Sequence, residues 1–129
     1  MLTEHEQSTK LRRTFENRVS RSAFKKVDDE LRVIGKFAQI TILDTGGIDV
    51  WIRTPDLVPM GTRKLNNICT AVSTALPEAQ IQILDGEAWF QTEYLPDSLF
   101  KVLGVRRKAV LTEEHKKAMA ERLKAARGE

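Results

Sequence analysis

The stretch Ile81-Gln82-Ile83-Leu84-Asp85-Gly86-Glu87-Ala88-Trp89-Phe90-Gln91 spells a β-hairpin in its side chains. Asp-Gly supplies the two positive-φ positions of a type I′ turn, the tightest link between antiparallel strands. That turn sets Leu84 opposite Glu87, Ile83 opposite Ala88, Gln82 opposite Trp89 and Ile81 opposite Phe90. Because strand side chains alternate, Ile81, Ile83, Ala88 and Phe90 share an apolar face. Gln80, Gln82, Glu87, Trp89 and Gln91 share the other. Turn chemistry and hydrophobic pattern agree, so the register is well specified.

Upstream, the same pattern recurs. Ile40-Thr41-Ile42-Leu43-Asp44 parallels Ile81-Gln82-Ile83-Leu84-Asp85, and Asp49-Val50-Trp51-Ile52-Arg53-Thr54 parallels Glu87-Ala88-Trp89-Phe90-Gln91-Thr92. Strands are expected over 37–43 and 48–53, around Asp44-Thr45-Gly46-Gly47. Each hairpin leads through proline into a helix. The first runs over 62–76 with Leu65, Ile68, Cys69, Val72 and Leu76 as its stripe, and Pro77 stops it. The second is short, capped by Asp97 or Ser98, carries Leu99, Phe100, Val102 and Leu103, and ends at Gly104. A ββα unit used twice, at 37–76 and 79–104, predicts an α+β fold with a four-stranded antiparallel sheet backed by helices.

The flanks read as helix. Over 8–34, Leu11, Phe15 and Val19, then Phe24, Val27, Leu31 and Ile34, recur at helical spacing, with a break near 20–22 and a stop at Gly35. On that helix Lys10, Arg18, Arg21 and Lys25 fall within about 80° of one another, away from the apolar stripe. Residues 105–129 read as a basic tail helix capped by Thr112, with acids in its first turn and bases in its last.

At 129 residues the chain is one domain, large enough to bury a core unaided. Its 41% hydrophobic and 30% charged composition excludes collagenous, disordered and disulfide-scaffold classes. No apolar run approaches the roughly 18 residues of a membrane span, and the first residues lack the apolar core of a secretion signal. Cys69 is the single cysteine, a small buried side chain suited to a reducing compartment, and the expected location is cytoplasmic. Net charge is +2 over 1–35, −3 over 36–104 and +4 over 105–129, so a mildly acidic middle lies between two basic segments.

No catalytic constellation emerges. His5 and His115 are the only histidines and sit in polar ends, and neither a nucleophile elbow nor a phosphate-cradling loop is present. Asp49 and Glu87 occupy matching outer-face positions and would be the acid–base or Mg²⁺ pair of a nuclease, yet no lysine accompanies them. The expectation is a non-enzyme with no cofactor and no metal.

Basic ends suit phosphate backbones. The leading reading is a small binding protein contacting DNA or RNA phosphates through Lys10, Arg13, Arg18, Arg21, Lys25, Arg106, Arg107, Lys108, Lys116, Lys117, Arg122 and Lys124. The alternative is a protein-interaction module, an adaptor or small inhibitor of the kind phages and mobile elements carry. It would dock on an acidic or nucleic-acid-binding surface. Trp51, Arg53 and Trp89 share the outer sheet face, where two readings compete. They form an open platform for bases or a partner, or the N-terminal helix covers both indoles. That helix must bury its stripe somewhere, which favours coverage. The sequence leaves oligomeric state open.

Overall fold

The computed structural model describes residues 1–54, 59–108, 117–118 and 120–122. In chain order it forms α1 (Glu4–Phe15), a single 3₁₀ turn (Arg21–Ala23), β1 (Phe24–Val27), β2 (Glu30–Ile34), β3 (Ala38–Ile42) and β4 (Ile48–Ile52). Then come α2 (Thr62–Ala75), β5 (Gln82–Leu84), β6 (Glu87–Thr92) and α3 (Ser98–Leu103). The fold is α+β around one antiparallel sheet, but the sheet has six strands rather than four, in the order β1-β2-β3-β4-β6-β5.

The two added strands come from the segment expected to be helix. Thr3 and Glu6 make a reciprocal capping box that starts α1, and the helix closes after Phe15. Asp28 and Asp29 then adopt φ of 51° and 65°, which makes a two-residue turn with Val27 opposite Glu30. Phe24, Val27, Leu31 and Ile34 have helical spacing by coincidence of two strands and their turn. The alternation that governs is Leu31 and Val33 buried, with Glu30, Arg32 and Ile34 on the other side. Lys10, Arg18, Arg21 and Lys25 therefore share no helix face: they lie on α1, the turn after it, the 3₁₀ turn and β1.

The Asp85-Gly86 hairpin has the expected register, with Leu84 opposite Glu87, Ile83 opposite Ala88 and Gln82 opposite Trp89. Its turn needs glycine: Gly86 sits at φ 82°, and a Cβ there would come within 2.9 Å of Pro59 Cβ. The first hairpin is as expected apart from single-residue strand ends. A duplicated unit is not shown. β5 has three residues, all exposed, where β3 alternates buried and half-buried, and α3 has six residues against fourteen in α2.

One face of the sheet makes the core. Val33, Ala38, Ile40, Val50, Ile52, Ala88 and Phe90 are buried there with Leu11 and Phe15 of α1, Ile68 and Val72 of α2, and Leu99, Phe100 and Leu103 of α3. Phe15 meets Phe100 edge-to-face at 6.0 Å and 68°, a favoured aromatic geometry. No polar or charged residue is among the buried ones described. At the end of α3, Gly104 adopts φ 70°, and a Cβ there would lie 2.7 Å from that of Lys36.

The helices α1, α2 and α3 pack on this aliphatic face, α1 against β2 and β3. The N-terminal helix thus does not cover Trp51 and Trp89, because its short stripe of Leu11 and Phe15 is buried on the opposite side. None of α1, α2 and α3 has its buried stripe on the outer face. No described helix is long and apolar enough to cross a membrane.

Candidate functional site

The two basic segments meet. The backbone N–H of Ser20 donates to the Arg106 carbonyl at 2.7 Å and that of Lys108 to the Arg18 carbonyl at 3.2 Å, with Val19 bridging antiparallel to Arg107. Val19, fully buried, anchors this junction. Immediately beyond it come Arg21 in the 3₁₀ turn and Lys25 and Lys26 on β1, which is an edge strand of the sheet. Arg21, Lys25, Lys26, Arg106, Arg107 and Lys108 are all exposed. They follow one another along this edge as a cationic rim, with Lys25 and Lys26 projecting to opposite faces of the sheet. Among them only Arg107 has an ion pair in the described structure, a loose one to Asp97 at 3.8 Å. Long cationic side chains held by rigid backbone and left in water are what phosphate contacts require.

Arg18 belongs to the fold instead. Its Nε donates to Asp97 at 2.7 Å and its Nη2 donates to the Leu95 carbonyl. Its guanidinium lies 4.9 Å from the Phe100 ring centre, 5.3 Å from Tyr94 and 5.6 Å from Phe15. Asp97 stands at the start of α3 but makes no side-chain cap, since its carboxylate turns to Arg18. Lys10 is also engaged, its Nζ donating to the Gly46 carbonyl at 2.6 Å and tying α1 to the β3–β4 loop. Arg13 is exposed on α1. Lys117 and Arg122 are exposed and helical, while Lys116, Lys124 and most of the expected tail helix lie outside the described residues. Lys26 and the pairing across Val19 were not foreseeable from helical spacing, since both depend on β1 and on a contact between distant segments.

The outer sheet face carries a second arrangement. Trp51 and Trp89 sit directly opposite each other on β4 and β6. The Trp51 indole N–H donates to Glu87 at 2.9 Å, and the Arg53 guanidinium stacks 4.3 Å from the Trp51 ring. Arg53 Nε is buried without a hydrogen-bond partner among the described residues. Arg32 bonds Gln39 at 2.8 Å and Glu30 at 3.0 Å. Both indoles are half-buried. Arg32 and Arg53 are thus interleaved with Glu30, Asp49 and Glu87, a face with little net charge.

Asp49 and Glu87 do not converge. Asp49 lies opposite Gln91, four positions along β6 from Glu87, or about 13 Å of strand. The Glu87 carboxylate is occupied by the Trp51 indole. Among the described residues no three His, Cys, Asp or Glu gather as a metal cluster. Burial pushes the Asp49 carboxyl above its ordinary value, with the Glu30 charge adding to the effect. Burial likewise raises the Cys69 thiol on α2, which disfavours its nucleophilic form.

A carboxyl raised by folding binds its proton more tightly in the native chain than in the unfolded one. Stability therefore falls as pH climbs from the ordinary carboxyl value through the raised one. Asp49→Asn should raise the urea midpoint at neutral pH, and this advantage should vanish in acid below both values. An unchanged or lower midpoint at neutral pH would contradict the assignment.

The chain matches no family model, and no curated protein or solved structure is significantly similar to it.

Proposed function

We propose that this chain is a non-catalytic binding protein that grips nucleic-acid phosphates through the rim of Arg21, Lys25, Lys26, Arg106, Arg107 and Lys108. The observation that carries this reading is the backbone pairing of residues 18–20 with 106–108, which gathers two distant basic segments on one side. The rim offers no recognition helix and no ordered set of base-reading side chains, so contacts are to backbone with little sequence preference. The exposed Lys117 and Arg122 add to the same charge.

Six phosphate contacts give a slope of log affinity against log salt near about −5 on duplex DNA. Fluorescence titration of labelled duplex and single strands at several salt concentrations measures it. The triple variant Arg21→Glu, Arg106→Glu, Lys108→Glu should weaken binding at low salt by at least about tenfold and flatten the slope by roughly 3. Absence of saturable binding at low salt would remove the proposal.

A second reading rests on the outer sheet face, where balanced charge around two indoles suits a protein surface better than a polyanion. As an adaptor or small inhibitor, the chain would lose a nuclease-resistant partner on Trp51→Ala or Trp89→Ala and keep it on Arg21→Glu.

A further inference from the structure

The two edges of the sheet differ in kind. β1 is guarded: its middle residues are Lys25 and Lys26, and Asp28-Asp29 closes its turn. Charged residues of this sort keep an edge strand from pairing with another chain. β5, at the other end, consists of Gln82, Ile83 and Leu84, with no charge and no proline. Ile83 is 55% and Leu84 60% exposed, among the few large apolar side chains left in water.

Backbone geometry fixes what this edge can accept. Leu84 and Glu87 flank a two-residue turn and so form a hydrogen-bonded pair, which makes Ile83 and Ala88 a non-hydrogen-bonded pair. The N–H and C=O of Ile83 therefore point away from β6, toward the side on which no other described strand lies. Beside them lies a groove between α2 and β5, lined by Asn66, Cys69, Thr70, Ser73, Ile81 and Ile83. No charge occurs along it, in a chain that is 30% charged.

We propose that β5 pairs antiparallel with β5 of a second copy of this chain, about a two-fold axis through Ile83. In that register Ile83 of each copy exchanges both backbone hydrogen bonds with Ile83 of the other, and Gln82 faces Leu84. Each free N–H and C=O meets its complement. The uncharged groove lets the copies approach without placing like charges together, which a two-fold otherwise forces on any charged residue near the axis. Two six-stranded sheets become one. The contact is small, so the dimer is a weak one that dissociates on dilution.

Sedimentation equilibrium of the full chain between about 1 μM and about 500 μM should show the mass rising from one chain toward two, as a small interface of this type requires. Hydrogen exchange at the Ile83 amide should slow over the same range. Ile83→Lys places charge on the axis, and Ile83→Pro removes the outward N–H that β6 does not use. Each should leave the circular dichroism of the fold unchanged and hold the mass at one chain throughout. A single-chain mass at the highest concentration would overturn the proposal. So would an unaltered dimer in a folded Ile83→Lys or Ile83→Pro variant.

Discussion

Phe100→Ala is expected to lower the unfolding free energy by about 3–5 kcal/mol, the cost of deleting a fully buried aromatic. Phe100 is completely inaccessible, and its removal takes away the edge of the Phe15 pair and one ring beneath the Arg18 guanidinium. The hole lies where the end of α1 meets α3. Phe15→Ala should cost a similar amount. The double variant should fall short of the sum by about 0.5–1.5 kcal/mol, because the two rings share one contact. Equilibrium urea unfolding of the three variants measures all of this. A cost below about 1 kcal/mol for either ring would mean that the two helices do not meet as described.

Arg18→Ala should cost about 2–4 kcal/mol, far more than removal of an ordinary surface cation. The ion pair to Asp97 contributes little of this, since that carboxylate is half exposed and screened by water. Most comes from the Leu95 carbonyl, which loses a charged donor, and from stacking on Phe100, Tyr94 and Phe15. Arg18→Lys should recover only a small part, because an ammonium cannot donate in two directions while lying flat on rings. The same variant separates architecture from binding. In its folded state Arg18→Ala should keep nearly all affinity for duplex DNA, whereas Arg21→Glu should lose affinity with an unchanged unfolding midpoint. The reverse pattern would move Arg18 into the interface and undo the division of cations drawn above.

Where local chemistry determined structure, the sequence was readable. Asp85-Gly86 demands positive φ at both positions and is flanked by matched alternation, so turn and register follow locally over residues 82–89, while the expected Ile81–Phe90 pair lies beyond β5. The Leu65, Ile68, Cys69 and Val72 stripe of α2 is equally self-contained. Asp28-Asp29 hid its turn, since aspartate enters the left-handed region less readily than glycine. The adjacent Val33 and Ile34 blurred the alternation of β2 into something that fits a helix. Thr3 with Glu6 three residues later marks a helix start at Glu4, ahead of the apolar spacing that begins at Leu11. The cationic residues were visible individually. Their sorting into rim and clamp was not, because Arg18 and Arg21 differ only in what the distant residues 95–108 bring beside them.

The contacts made by Phe15 and by the turn after α1 carry an implication for how the chain is made. Phe15 waits for Phe100, Arg18 for Leu95 and Asp97, and Ser20 for Arg106. On a ribosome, where residues emerge one after another, Phe15, Arg18 and Ser20 have none of these partners until residues 95–106 have left the exit tunnel. The β3–β4 hairpin can form early and meet α1 through Gln7 and Lys10, but Phe15 and the turn after the helix lack their final partners through most of synthesis. Closing that long loop is an entropic toll levied late, and it makes residues 95–106 the stretch that locks the end of α1 and the turn after it.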